Sequence, residues 1–209
     1  MITVVISSYR YGHLAAHCIE SILSQSAKPT KIMFVDDGVG DCRHILEHYP
    51  EIDFYENAEN LGTVNNFQQM LEQVKTEYCM FIGADNWLRS DAIGLMYMTL
   101  EMENPDIVTY DMILTGELKD TRVKYHQEEI IRFEGDYYWD RKDKHHGSML
   151  YRTNLAKSVG GYTRLNDWSH QTQEDLSLWN KMISAGAKSH HISLPLLYYR
   201  HHRENNNRY

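Results

Sequence analysis

Four short apolar runs alternate with helical patterns over the first 82 residues of the chain. The runs cover residues 2–6, 31–35, 52–55 and 78–82, and the first of them is β-branched throughout. Continuous runs of this kind are typical of strands that are buried on both faces of a parallel sheet. The alternation predicts right-handed βαβ crossovers and an α/β, Rossmann-like half over residues 1–110 with a mostly parallel sheet.

The pattern is less regular over residues 111–209, which we expect to form a smaller mixed half. Helices are predicted over 90–103, 153–159 and 173–185, strands over 106–110 and 192–199, and mixed strands and loops over 114–144. We find no internal repeat and no linker rich in Pro, Gly or Ser. The sequence therefore predicts a single domain over 1–209.

Composition narrows the functional classes. The formal net charge is −8, from 29 acidic and 21 basic residues, which argues against a general nucleic-acid binder. Three cysteines without a CxxC spacing favour a reducing compartment over a zinc knuckle or a disulfide framework. The chain has no basic, apolar leader and no run near the roughly 20 apolar residues of a membrane span. These features predict a soluble cytoplasmic protein.

Acidic residues follow two of the predicted strands. Asp85 ends the fourth strand, and Asp36 and Asp37 end the second. Because ligands of open α/β sheets bind outside the carboxyl ends of the strands, these carboxylates suggest a site for a metal-bound diphosphate, with Mg²⁺ or Mn²⁺ as the metal. The alternatives are that Asp85 caps the next helix and that Asp37–Gly38 is an ordinary turn. Tyr9, after the first strand, could stack on a base or simply pack.

Other candidates lie in the second half. Asp175 could act as a general base, or Glu174 and Asp175 could only stabilise the start of a helix through its dipole. His202, after the last predicted strand, could be a late metal ligand, whereas most of the 12 histidines are expected on the surface or in the core. A sugar-binding aromatic platform is the less favoured alternative to core packing for four residues: Tyr137, Tyr138, Trp139 and Trp168.

The order and spacing of these motifs closely resemble the family 2 glycosyltransferases of the GT-A fold. The segments that carry the resemblance are VVISSY at 4–9, SILSQS at 21–26, VDDG at 35–38, NLG at 60–62, the Asp85 strand end, GGY at 160–162, ED at 174–175 and YRHH at 199–202. Overall, the chain is also similar to the N-terminal domain of a chlorovirus glycosyltransferase that builds capsid glycans. That likeness would make it one domain of a longer polypeptide, acting in the host cytoplasm.

The resemblance implies an inverting, metal-dependent enzyme that moves a hexose from a nucleotide sugar to a glycan or glycoprotein acceptor. The expected donor is a UDP-sugar such as UDP-glucose or UDP-rhamnose. The expected donor-site residues are Ser7, Tyr9, Asp36, Asp37, Asn60, Gly62, Asn65, Ala84 and Asp85. Asp37 would contact the base, Asp85 and His202 would bind Mn²⁺ or Mg²⁺, and Asp175 would be the catalytic base. Residues 1–110 would then bind the nucleotide sugar, and residues 111–209 would form the acceptor side.

One position departs from the family pattern. Gly83 stands where the family commonly has the first acid of its D-x-D motif, so only Asp85 is left to bind metal from that loop. With a single acid in that loop, we expect either weak metal binding or a water molecule in place of the missing acid. A module that binds a nucleotide sugar without turnover is therefore one alternative function. A nucleotidyltransferase is the other alternative function. The loop at 8–12 argues against it, because one Gly and one Arg offer few groups that could bind a triphosphate.

Overall fold

Strands and helices alternate through the first part of the molecule, as the sequence predicts. The computed structural model describes residues 1–116, 122–125, 128–131, 136–142, 146–163 and 174–202. Its first elements are β1 (Ile2–Ser8), α1 (Gly12–Leu23), β2 (Lys31–Asp36), α2 (His44–His48), β3 (Asp53–Glu56), α3 (Gly62–Gln73) and β4 (Tyr78–Gly83). The four strands are parallel, in the order β3-β2-β1-β4.

The later elements contain more strands than the sequence predicts. They are β5 (Trp87–Leu88), α4 (Ala92–Glu103), β6 (Ile107–Gly116), β7 (Arg122–Tyr125), β8 (Glu128–Ile131), β9 (Tyr137–Trp139), β10 (Leu150–Arg152), α5 (Thr153–Ser158), α6 (Glu174–Ser184) and β11 (Ser189–His201). Strands β6 and β11 extend beyond their predicted bounds, and the boundary drawn at residue 110 falls inside β6. The predicted tail at 203–209 and Trp168 lie outside the described residues.

Strand β10 joins the two parts of the sheet. It is antiparallel to both neighbours, and Leu150 pairs with Met80 of β4 on one side and with Val108 of β6 on the other. The sheet order then continues β10-β6-β11-β5, with β9 paired to β6. Because β10 runs in the opposite direction, the residues that precede it lie at the carboxyl edge of β1 and β4. That edge therefore receives residues from both halves of the chain.

Helices cover both faces of the sheet, so its central strands are buried on both sides. Along β1, Val4 and Ile6 pack in one cluster with residues of α1 and α4, whereas Val5 packs in the other. That second cluster includes Leu71 of α3 and Leu178 of α6. This alternation is the strand periodicity expected of a doubly covered sheet. In the described part of the chain, no helix combines the length and the apolar character that crossing a membrane requires.

Candidate active site

The carboxyl ends of β1, β2 and β4 lie side by side. In the sheet register, Ser8 is opposite Asp36, and Ser7 is opposite Gly83. Backbone hydrogen bonds continue past the strand ends, from Asp37 N to Ser8 O (2.8 Å) and from Ala84 N to Ser7 O (2.9 Å). The first residues of both acidic loops are therefore fixed to β1.

Asp37 belongs to a polar network that links three elements. Its Oδ1 accepts hydrogen bonds from Nδ2 of Asn57 and from the backbone N of Leu61, both at 2.9 Å. Asn57 also donates to Oδ1 of Asn66 (3.0 Å), and Asn66 donates to Oγ of Ser7 (3.0 Å). Because each side chain is held by the next, the network fixes the orientation of both Ser7 and Asp37.

Sequence reasoning missed Asn57 and Asn66. Asn66 is buried, one helical turn before the buried Met70 on α3. An amide at an apolar position of a helical pattern is the signal that could have found it, because a buried polar group requires partners. Asn57 follows β3 and offers no comparable signal, since an exposed turn residue has the same sequence context.

Asp36 has a different environment from Asp37. It is fully buried, and its Oδ1 and Oδ2 accept hydrogen bonds from the backbone N atoms of Val39 (3.0 Å) and Cys42 (3.2 Å). Both oxygens thus hold the loop that follows β2. A direct contact between Asp36 and a nucleoside stays a prediction.

The other residues predicted near the nucleotide lie around the start of α3 and after β1. Oδ1 of Asn60 accepts a hydrogen bond from Gly62 N (2.8 Å), and Asn65 donates to Leu61 O (3.1 Å), while both asparagines are exposed. Tyr9 is half-buried, with the guanidinium carbon of Arg10 5.0 Å from its ring centroid. Leu61 N connects the turn at the start of α3 directly to Asp37.

The structure brings Asp85 and His202 together. Oδ2 of Asp85 lies 3.1 Å from Nε2 of His202, and both side chains are 6% exposed. The imidazole also makes an edge contact with the Tyr11 ring, at 5.2 Å between centroids. Two ligands in adjacent positions of an octahedral Mg²⁺ site, each at about 2.1 Å from the ion, stand about 3 Å apart. The contact lies within hydrogen-bonding distance, and its spacing, with one oxygen and one imidazole nitrogen, also fits two ligands of one divalent cation.

The absence of a side chain at Gly83 leaves space for the carboxylate of Asp85. A Cβ atom at Gly83 would lie 2.5 Å from Oδ1 of Asp85 and 3.0 Å from Nδ2 of Asn86. A side chain at position 83 would therefore displace the Asp85 and Asn86 side chains, which occupy that space. Beneath the loop, Sγ of Cys18 lies 3.8 Å from Gly83 O. Burial, aided by the charge of Asp85, raises the pKa of the Cys18 thiol well above its usual range, so Cys18 is neutral.

Asp175 lies in the first turn of α6. Its Oδ1 accepts a hydrogen bond from Leu176 N (2.8 Å), and its Oδ2 would be 3.4 Å from a Cβ atom at Gly147, just before β10. This proximity to the segment before β10 places Asp175 on the side of the sheet edge where that segment lies. The bond to Leu176 N is also compatible with the alternative role of Asp175, stabilisation of the helix start.

A second polar cluster, which the sequence did not predict, surrounds Asp111 of β6. This buried carboxylate accepts hydrogen bonds from Arg141 N (2.7 Å) and the Tyr138 hydroxyl, and its Oδ1 lies 3.1 Å from Nε2 of His191. The bond to Asp111 raises the pKa of Tyr138 to about 12. Of the four aromatic residues considered as a platform, Trp139 is buried in the core and Tyr138 is 48% exposed. The Tyr137 side chain lies outside the description.

Residues 3–160 match the family model described as Glycosyl transferase family 2. The chain belongs to this family. This domain is 24% identical over 202 residues to EpsH of Bacillus subtilis (strain 168), covering 93% of this chain and 50% of EpsH. It is 27% identical over 110 residues to glycosyltransferase GlyA of Streptococcus pneumoniae serotype 4, covering 51% of this chain and 16% of GlyA. The chain spans half or less of the length of these curated relatives.

Solved structures confirm the GT-A fold of this family 2 domain. Residues 1–349 of S. aureus TarS in complex with UDP superpose with a TM-score of 0.73 at 16% identity, covering 96% of this chain and 60% of that one. Mannosyltransferase PcManGT from Pyrobaculum calidifontis, in complex with GDP-Man and Mn²⁺, gives a TM-score of 0.68 at 15% identity, covering 98% of this chain and 58% of that one. These structures confirm the predicted fold class, and the family match confirms the predicted class of enzyme at the level of a glycosyltransferase.

Proposed function

We propose that this domain transfers a hexose from a nucleotide sugar to a glycan or glycoprotein acceptor, with inversion at the anomeric carbon and dependence on Mn²⁺ or Mg²⁺. The observation that carries the proposal is the Asp85–His202 pair, which shares one sheet edge with the Asp37 network. A cation there would lie between the nucleoside side of the site, near β2, and the Asp175 side, near β10.

The donor assignment has support from structural neighbours. TarS has been crystallised with UDP and with UDP-GlcNAc, and PcManGT with GDP-Man and Mn²⁺. We propose a UDP-sugar, with glucose or rhamnose as the first candidates. In this chain Asp37 would accept a hydrogen bond from the base, Tyr9 would stack on it, and Ser7 would contact the nucleoside. The loops around the nucleoside would be formed by residues 36, 60, 62, 65 and 84.

Asp85 and His202 would hold the cation. When bound, Mn²⁺ or Mg²⁺ offsets negative charge that develops on the departing diphosphate. With Gly83 in place of an acid, two side chains hold the cation from this edge, so we expect it to bind far more tightly with the nucleotide diphosphate than alone. Tyr11, which packs on the His202 ring, would keep the imidazole directed at Asp85.

Asp175 would take the proton from the acceptor hydroxyl as that oxygen attacks the anomeric carbon. Attack from the face opposite the leaving diphosphate inverts that carbon in one step, so no covalent nucleophile is required. Residues 111–209 would supply the acceptor side of the site, and residues 1–110 the donor side.

The two alternatives make different predictions. A binding module would bind the nucleotide sugar and never release its diphosphate, whereas a nucleotidyltransferase would consume a nucleoside triphosphate and release pyrophosphate. The family match and the position of Asp175 favour transfer of the sugar. We also propose that the chain acts in the cytoplasm as one domain of a longer polypeptide, and a chlorovirus enzyme of capsid-glycan synthesis remains our hypothesis for its setting.

The test is calorimetric titration of UDP-, GDP- and dTDP-sugars, with and without Mn²⁺, against the native chain and Asp85→Asn. A matched control is Asp53→Asn, since Asp53 begins β3 and pairs with Lys31 away from the site. We expect Mn²⁺-dependent binding of one nucleotide sugar that is lost in Asp85→Asn and kept in Asp53→Asn. Binding that ignores both Mn²⁺ and Asp85 would contradict the metal-assisted mechanism.

A further inference from the structure

The two candidate metal ligands belong to segments that are far apart in the chain. Asp85 lies in the turn after β4, and His202 follows β11. We infer that Asn86 and Arg200 position this pair for the cation by forming a reciprocal clamp between the two segments. The inference rests on the proposed function, because it requires that Asp85 and His202 bind a metal.

The clamp consists of two hydrogen bonds that Arg200 donates to the segment after β4, one from its backbone and one from its side chain. The backbone N of Arg200 donates to Oδ1 of Asn86 (2.9 Å), and Nε of Arg200 donates to the backbone O of Asp85 (2.9 Å). Each side chain therefore binds the backbone of the other segment. Asn86 is 6% exposed, so water competes poorly for its amide, and the bond from the guanidinium is strengthened by its charge.

Aromatic residues hold the Arg200 side chain in place. Its guanidinium carbon lies 4.8 Å from the centroid of the Trp87 ring, and its Nη2 lies 3.2 Å from Nδ1 of His17. Trp87 itself stacks against His17 (4.5 Å between centroids) and Tyr198 (5.2 Å). Cation–π contact and stacking limit the motion of the guanidinium, so the bond to Asp85 O costs little side-chain entropy.

Backbone pairing also joins the two segments. Strand β5 is only two residues long, pairing Trp87 with Tyr198 and Leu88 with Leu197, and one further backbone bond runs from Arg89 N to Leu196 O (2.9 Å). A metal pair has to keep its ligands within about 0.5 Å of the productive geometry. The clamp lies close to the metal pair in sequence, since Asn86 directly follows Asp85 and Arg200 lies two positions before His202.

The experiment uses Asn86→Ala and Arg200→Met, which remove one bond of the clamp each, while Met keeps an unbranched side chain that can pack on Trp87. Mn²⁺ affinity is measured by electron paramagnetic resonance with saturating UDP and no acceptor, and UDP affinity is measured in EDTA. We expect Mn²⁺ affinity to fall about 10–100-fold in each variant, as for other residues that orient metal ligands, with little change in metal-free UDP affinity.

Two further variants sharpen the result. Arg200→Lys keeps the positive charge without the Nε contact, so we expect it to lose Mn²⁺ affinity as Arg200→Met does. Arg89→Ala, which removes a partly exposed ion pair with Asp91 in the same loop, should bind Mn²⁺ like the native chain. Because both hydrogen bonds act on one clamp, the double variant Asn86→Ala/Arg200→Met should lose less than the sum of the single losses.

The outcomes separate this inference from the proposed function. Native Mn²⁺ affinity in Asn86→Ala and Arg200→Met would overturn the clamp and leave the metal site intact. Equal losses of Mn²⁺ affinity, metal-free UDP affinity and thermal stability would also overturn it, since they indicate a merely structural role. If the native chain binds no Mn²⁺ with UDP, the proposed metal site fails, and the clamp fails with it.

Discussion

A Cβ atom on Gly83 would lie 2.5 Å from Oδ1 of Asp85, so the carboxylate of Asp85 occupies the space that a side chain at position 83 would need. We predict that Gly83→Ala displaces Asp85 and lowers Mn²⁺-dependent nucleotide affinity by about 10-fold or more. Gly83→Asp should be no better, although it restores the family's first acid. Titration calorimetry with and without Mn²⁺ measures both.

Gly94→Ala is the matched control for that substitution. Gly94 lies within α4, and a Cβ there would be in ordinary contact with Ser26, at 3.4 Å from its Oγ. We expect unchanged nucleotide binding and slightly higher stability, because Ala is a better helix former than Gly. Undiminished Mn²⁺-dependent binding in Gly83→Ala would show that Asp85 is not restrained as proposed.

Asp36→Ala should destabilise the domain more than most single substitutions. It removes the acceptor for the backbone N atoms of Val39 and Cys42 in a fully buried site. We predict a fall of about 2–4 kcal/mol in the free energy of unfolding, measured by urea denaturation. Asp53→Ala removes an exposed ion pair with Lys31 and should cost less than about 1 kcal/mol. Similar losses in the two variants would contradict the role assigned to the Asp36 carboxylate.

Two neighbouring asparagines on α3 should behave differently. Asn66 is buried and bonded to both Asn57 and Ser7, whereas Asn65 is exposed. Asn66→Ala should lower the free energy of unfolding by about 1–3 kcal/mol, because the buried amide is lost and its two partly buried partners each lose a hydrogen bond. Asn65→Ala should change it by less than about 0.5 kcal/mol. Thermal or urea unfolding of the two variants, compared side by side, measures the difference.

Local sequence patterns determined the first four strands, whereas the later pairings depend on residues distant in the chain. Strands β1, β2, β3 and β4 were predictable because each is a local apolar run, and the strand ends were enough to place Asp37 and Asp85 on one edge. Strand β10 was not, since three residues carry no periodic pattern and their pairing with β4 and β6 depends on distant partners. The contact between Asp85 and His202 spans 117 positions and depends on β11 entering the sheet beside β6 and β5.

The three cysteines should be unreactive in the folded chain. Cys18, Cys42 and Cys79 are all buried, and burial raises the pKa of the Cys79 thiol to about 11. Below that pH the folded state keeps Cys79 protonated, and the thiolate is the reactive form. At pH 8, Ellman's reagent should therefore modify none of the three thiols in the native chain and all three after unfolding in guanidinium. Rapid modification of any one of them in the native chain would contradict the packing described for that residue.

Asp175→Asn provides the sharpest test of the chemical step. The substitution keeps the size of the side chain and an oxygen that can accept a hydrogen bond from Leu176 N, so α6 should still begin at the same place. Without a carboxylate to take the acceptor's proton, we expect kcat to fall by about 10²–10⁴-fold, while affinity for the nucleotide sugar is retained. Glu174→Gln, one residue earlier in the same helical turn, is the matched control and should keep most of its activity. Steady-state kinetics together with donor titration separates the outcomes: loss of donor binding in Asp175→Asn would indicate a structural role, and unchanged kcat would remove Asp175 as the base.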